Sequence, residues 1–408
     1  MKCLSRFSKQ SFSIFLLSFF TGTLYSQIIP TLTPYLLQRF EAGAFEIGIF
    51  YTVLAVFSIL SCQVSGRLSD ISRNRPRFVI VGLSIGGLAC LVLAFSSSFA
   101  SSVYFGASIL GISALAAPQI MAYARDYAEV NLNTKNIPLF NSYVRISFAL
   151  SWVVGPPAGY LLQDLYGAIN HYLFSGALHF LLATSVVGLI KKVPTTYTYK
   201  LKQKKNLAIN VTHQKLATYF VVFSILFSLN QMYLIALPQF LVASLNVELN
   251  HAGLLMGIAA LIEIPVMVLG GVLASKMAIE KLIQIGAACA LVFYLGLYFS
   301  ESLLFIYILQ IFNGIFIGII ASLGLTWFQD QMPSRAGFAS SLFGNSVNTG
   351  ILAGSLAFGW IVSQWGLRIL LLVCGLAATF SLAILLYQNV ASKLARRIEP
   401  LNFSLEYH

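Results

Sequence analysis

The chain has 408 residues, of which 58% are hydrophobic and only 9% charged. Soluble globular proteins carry about a quarter of their residues as charges, so this composition excludes a soluble domain and places the chain in lipid. A net charge of +12 would point to nucleic acid in a soluble protein, so its meaning here depends on where the cations sit.

Twelve apolar stretches, each close to the roughly 20 residues that cross a bilayer, are separated by short polar breaks: 11–37, 46–66, 78–95, 101–122, 137–163, 170–190, 215–241, 251–274, 281–299, 302–325, 337–363 and 367–388. A soluble core helix would show only a stripe of about three apolar positions in seven. The basic start, with Lys2, Arg6 and Lys9, imitates a secretory leader. The apolar run behind it is long, contains Pro30 and Pro34 and lacks a small-residue cleavage site, so it is read as a retained first helix. With the N-terminus placed in the cytoplasm, every Lys and Arg except Arg39, Arg145 and Arg368 falls on the cytoplasmic side. This asymmetry gives the expected orientation, both termini cytoplasmic, and makes nucleic-acid binding an unnecessary reading of the charge. Cys62, Cys90, Cys289 and Cys374 lie in apolar stretches and Cys3 in the tail, with no CxxC or His-Cys spacing, so neither a disulfide nor a metal framework is expected.

The break between the second and third helices reads Gly66-Arg-Leu-Ser-Asp70-Ile-Ser-Arg73-Asn-Arg75-Pro-Arg77. A glycine permits close helix contact, and Asp70 can pair with an arginine or a helix N-terminus and latch the bundles. An ordinary positive-inside loop would explain the arginines but not Gly66 with Asp70. Arg145 lies about two turns into the fifth helix, where a charge needs a partner. Asp126, at the end of the fourth helix, is the nearest candidate; Arg125 and Asp126 read equally well as a solvated helix end. In Ser151-Trp152-Val-Val-Gly155-Pro156-Pro157-Ala-Gly159, small residues at i, i+4 and i+8 form one face for backbone-to-backbone packing, and proline kinks the helix.

The one long, polar, basic break is 191–214, at the middle of the chain, and it divides the sequence into 1–190, a linker, 215–392 and a tail, 393–408. The halves repeat weakly but in register: Pro34 with Pro238, Gly48 with Gly253, Ala55 with Ala260, Gly66 with Gly271 and Asp126 with Asp330. After a short deletion, the block from Gly155 to Gly167 aligns with that from Gly354 to Gly366. Six helices per half give both repeats the same orientation, as in two-bundle alternating-access carriers with a midplane site. The expected fold is therefore an all-α membrane protein of twelve transmembrane helices in two six-helix pseudo-symmetric bundles.

Glu263, near the centre of the eighth helix, is the one carboxylate far from both interfaces. A charge there costs at least a few kcal/mol, which suits a group that carries a proton until an access path opens; the alternative is a structural Glu that donates to a neighbouring helix. Gln27, Gln119, Asn230, Gln231, Gln310, Asn313, Asn345 and Asn348 fall within predicted helices, with Tyr25, Trp152 and Tyr233 as aromatic platforms. Amides and aromatic faces suit a polyhydroxylated solute, although any single amide serves more often as a helix–helix hydrogen bond. No HExxH, GxSxG or glycine-rich phosphate loop occurs, so neither an enzyme nor a cofactor is expected.

The segment from Gly66 to Arg77 resembles the GxLaDrxGrr signature of the major facilitator superfamily, without its second glycine. Ser151 to Gly159 is similar to the GPxxG motif of the superfamily's antiporters, with serine in place of the first glycine. The blocks 117–128, 141–157, 253–267, 309–320 and 328–333, spread over both halves, resemble the bacterial sugar efflux transporter family. That resemblance implies proton-coupled export of sugars, glycosides or similar small polar solutes from a monomer in the bacterial inner membrane, with the proton as coupling ion. The lipid bilayer and the small-molecule substrate are the expected partners, and a drug or other metabolite exporter of the same superfamily is the alternative. On this reading Glu263 couples the proton, and Gln27, Gln119, Trp152, Asn230, Gln231, Gln310, Asn313 and Asn345 line the cavity. Gly66, Asp70, Arg73, Asp126, Arg145, Gly155, Pro156 and Asp330 gate or brace the bundles.

Overall fold

The computed structural model describes residues 8–72, 74–133, 137–190, 213–332 and 336–403. Arg73, most of the basic linker (191–212) and the last residues of the tail lie outside the described residues.

Every regular element among the described residues is a helix. Ten apolar helices are long enough to cross a membrane, and two of them, Phe140–Leu189 and Phe338–Val390, run to 50 and 53 residues, over twice the need of about 20. Each is broken by one glycine with positive φ, Gly167 (φ 78°, ψ 161°) and Gly366 (φ 81°, ψ 174°), a region open in practice only to glycine. The chain turns back there. Gln27 touches both arms of the first, its backbone against Gly159 and its Nε2 donating to Ser175 Oγ at 3.3 Å, although those residues would stand about 24 Å apart on a straight helix. Likewise Gly350 packs on Ser224, and Gln388 Nε2 donates to Thr218 Oγ1 at 3.3 Å, both on the helix from His213.

Twelve helices result among the described residues: α1 Lys9–Phe40, α2 Ala44–Ser72, α3 Arg75–Phe95, α4 Phe99–Asn131, α5 137–166, α6 168–189, α7 His213–Ser244, α8 Asn250–Ala274, α9 Ile279–Phe299, α10 Leu303–Gln331, α11 336–365 and α12 367–403. The all-α, twelve-span fold expected from hydropathy is the fold observed. Large apolar side chains such as Leu60, Val64, Leu269, Leu376 and Phe380 are exposed, as they must be on a surface solvated by hydrocarbon rather than water.

The repeat is visible in the packing. On α5, Gly155 seats against Ser26 and Gly159 against the Gln27 backbone of α1, and Ser26 Oγ donates to the Ser151 carbonyl at 2.8 Å. On α11, Gly350 and Gly354 seat against the Ser224 and Ser228 carbonyls of α7. Small residues thus bring backbones together in both halves by the same means. In α1, Pro34 has no N–H for the Pro30 carbonyl, and Tyr160 OH donates to that carbonyl at 2.8 Å instead.

The described residues divide into two compact units. The first takes the chain up to Ile190 with Leu234–Ile264 and Ser355–Leu367, so the far ends of α7, α8 and α11 belong with the first-half helices; the second holds the rest of the second half. The first has a core of Ile14, Leu17, Val79, Leu83, Ile120 and Phe140 drawn from α1, α3, α4 and α5, and the second one of Leu282, Ile319 and Leu323 from α9 and α10.

Candidate functional site

In the first unit, near the starts of α2 and α8, segments of the second half meet the first. Gly48 of α2 crosses Gly359 of α11 so closely that a Cβ on Gly48 would lie 2.6 Å from Gly359 Cα. On α8, a Cβ at Gly253 would lie 2.8 Å from the Pro156 carbonyl, and one at Gly257 2.8 Å from the Val153 carbonyl. Pro157 leaves that Val153 carbonyl without its helical donor, so Gly257 comes close to a carbonyl already free of the ladder. Asn250 Nδ2 donates to Asp164 Oδ2 at 3.1 Å and extends this α5–α8 seam.

The opposite ends of α2 and α8 differ. A Cβ on Gly66, or on its repeat mate Gly271, would meet nothing within 4 Å among the described residues.

The charges beside Gly66 are organised by Arg75. Its Nε donates to Asp126 Oδ2 at 2.5 Å, its Nη2 to Asp70 Oδ1 at 3.1 Å and its Nη1 to Ser69 Oγ at 3.2 Å. The ends of α2, α3 and α4 are tied through one guanidinium. This overturns the suggested pairing of Asp126 with Arg145, since Asp126 is taken by an arginine that sequence distance gave no reason to prefer over Arg67, Arg73 or Arg77. Arg125 is exposed and pairs with Glu129 at 3.0 Å, a solvated helix end. Asp330, the repeat mate of Asp126, is exposed. In the second unit the hub is Glu280, which accepts from Lys215 Nζ at 3.3 Å and Trp327 Nε1 at 3.2 Å beneath the Tyr219–Trp327 stack at 3.8 Å.

The amides separate into two groups. Gln27 is buried and bonded to Ser175; Gln119 is buried with its carbonyl oxygen unpartnered among the described residues. Gln310 is fully buried, its Oε1 accepting from Tyr233 OH at 3.1 Å and Asn313 Nδ2 at 3.0 Å and its Nε2 donating to the Ile306 carbonyl at 3.2 Å. Gln27 and Gln310 therefore bond helices together in this conformation, and Asn313 braces Gln310 from the same helix. Trp152, Asn230, Gln231 and Asn348 are half-buried and Asn345 is exposed. Glu263 is half-buried, and Arg145, on the face of α5 that also carries Trp152, is exposed.

Two residues passed over in the sequence belong in this inventory. His171 and His179 of α6 are buried, flank Ser175 at i and i+8 on one face, and His179 packs its ring against Gly86 with the Tyr25 ring edge-on at 6.0 Å. Histidine in the apolar stretch 170–190 was the available signal, since ionisable residues inside a span are rare.

A family model described as Major Facilitator Superfamily matches residues 14–303 and 220–401. The chain is 31% identical over 353 residues to sugar efflux transporter A of Escherichia coli (strain K12), covering 86% of this chain and 89% of that protein. The chain belongs to the major facilitator superfamily and, within it, to the sugar efflux transporter family. It is 32% identical over 357 residues to sugar efflux transporter A of Dickeya chrysanthemi, covering 87% and 89%. Among solved structures it is similar to a mutant of the nucleoside transporter NupG, with a TM-score of 0.78 over 93% of this chain and 99% of that one at 14% identity, a likeness of fold alone. This is a multi-pass membrane transporter, and its family is one of carriers rather than enzymes.

Proposed function

We propose that this carrier exports sugars, glycosides or similar hydroxyl-rich solutes from a bacterial cytoplasm by alternating access, with protons entering in exchange. The observation that carries the reading is the identity of about a third to proteins named as sugar efflux transporters, sustained over nearly the whole chain. The two sequence halves, 1–190 and 215–392, are the moving bundles, both termini face the cytoplasm, and the carrier works as a monomer.

The glycines support the cycle. Gly48 and Gly253 are repeat mates jammed against backbone at one end of α2 and α8, whereas Gly66 and Gly271 are repeat mates with no described atom within 4 Å of a would-be Cβ at the other end. Helices that carry a close-contact surface at both ends and use one at a time suit a carrier closed first on one side and then on the other. Glu263, held in a span, takes a proton in one state and yields it in the other. Half-buried Trp152, Asn230 and Gln231, with exposed Asn345, supply an aromatic face and amides to a solute with a C–H face and hydroxyl edges.

Counterflow in proteoliposomes tests the substrate class, with a panel of labelled sugars and glycosides set against lipophilic cations. Saturable exchange of sugars alone is expected. Exchange of the cations with none of the sugars would replace the sugar reading with drug export.

A further inference from the structure

Arg145 and Glu263 are two charges inside spans, and neither has an ion pair among the described residues. The register of α5 against α8 shows where they stand relative to each other. Three contacts run antiparallel along the seam, Asp164 with Asn250, Pro156 and Pro157 with Gly253, and Val153 with Gly257. Continued by two more turns, this register sets Arg145 level with Pro265, which puts Glu263 within about 3 Å of Arg145 in depth.

Their directions agree as well. At about 100° per residue, Arg145 points roughly 70° to one side of the α5 face formed by Val153, Pro156, Pro157 and Tyr160. Glu263 points roughly 100° in the same sense from the α8 face formed by Gly253 and Gly257. On antiparallel helices, offsets of the same sense lead to the same flank of the seam. Two long side chains leaving axes 8–10 Å apart toward one flank are within reach of each other. No other charge on α5 competes, because Asp164 sits at its far end, held by Asn250. Pro265, two residues past Glu263, removes the donor for the Leu261 carbonyl and gives α8 a place to bend at this depth.

We propose that Arg145 is the counter-ion of Glu263, in an intramembrane pair that closes in one state of the carrier and opens in the other. When the guanidinium swings onto the carboxyl group, the acid gives its proton to water on the open side and the pair is held by charge-assisted hydrogen bonds. When the helices part, the carboxyl group takes a proton from the opposite side. The pairing rests on helix register; its part in coupling rests on the proposed proton-driven export.

Cross-linking tests the pairing without any transported solute. Arg145→Cys and Glu263→Cys are combined in the full chain whose native cysteines are replaced by serine, reconstituted in lipid and treated with short bifunctional thiol reagents. Both charges are gone in this variant, so no unpaired intramembrane charge threatens folding. The control joins Arg145→Cys to Leu261→Cys, at similar depth but on the other flank of α8. Efficient cross-linking of 145 with 263 and little of 145 with 261 is expected. No 145–263 product in monodisperse protein, or equal yields from both pairs, would overturn the proposal. A cross-linked pair in a protein whose transport ignores the pH gradient would leave the pairing standing and remove only its role in coupling.

Discussion

Replacing Gly48 with leucine tests whether the α2–α11 crossing holds one state of the carrier. The added Cβ would lie 2.6 Å from Gly359 Cα, 3.0 Å from Gly359 N and 3.0 Å from the Ser355 carbonyl oxygen. All three are backbone atoms, which no rotamer change can move. Ordinary contact needs about 3.5–4.0 Å, so the helices must part by about 1 Å for the Cβ and by more for the rest of the side chain. Overpacking of this kind costs about 1–3 kcal/mol, enough to shift a two-state balance by about 5- to 150-fold. Spin labels at Phe45 and Trp360, both exposed beside the crossing, read the separation by pulsed electron resonance. Gly48→Leu is expected to raise a longer-distance population that is minor in the natural chain. Gly66→Leu, whose site is open here, is expected to deplete it by obstructing the other state. An unchanged distance distribution for Gly48→Leu would refute the reasoning.

Arg75→Ala leaves the half-buried Asp126 without its guanidinium and is expected to cost about 1–3 kcal/mol, seen as a lower melting temperature, whereas exposed Arg125→Ala costs little; equal effects would remove Arg75 from its hub position. Gly167→Ala and Gly366→Ala each force a methyl-bearing residue into positive φ, at about 1–3 kcal/mol, and reduced folded yield in membranes is the readout; normal yield would show that the reversals tolerate other geometry. Tyr233→Phe removes one of two donors to Gln310 Oε1 and is expected to cost about 1 kcal/mol, with substrate affinity unchanged if Gln310 only braces helices.

Hydropathy made the twelve spans legible, because a bilayer allows few alternatives to a long apolar helix. The matching blocks ending at Gly167 and Gly366 marked the places where two double-length helices fold back, although their positive φ angles are visible only in the backbone. The Asp126 partner was not legible: several arginines share one loop, and only the approach of α3 to α4 selects Arg75. Nor does composition separate Gln310, sealed by Tyr233 and Asn313, from Asn345, which is exposed; what an amide faces depends on how its own helix is rotated about its axis. Gly66 shows the same limit, since a glycine in the sequence does not say what it faces, and here nothing among the described residues lies within 4 Å of its would-be Cβ.

Proton-driven export is the central claim, and efflux of a labelled sugar from loaded proteoliposomes, with and without an imposed pH gradient, tests it most directly in the natural chain and in Glu263→Gln. Efflux accelerated by the gradient in the natural chain and unresponsive in the variant, with sugar exchange retained, is the predicted result. Equal acceleration in both would contradict the assignment of Glu263, and sugar efflux indifferent to the gradient in the natural chain would contradict proton coupling itself.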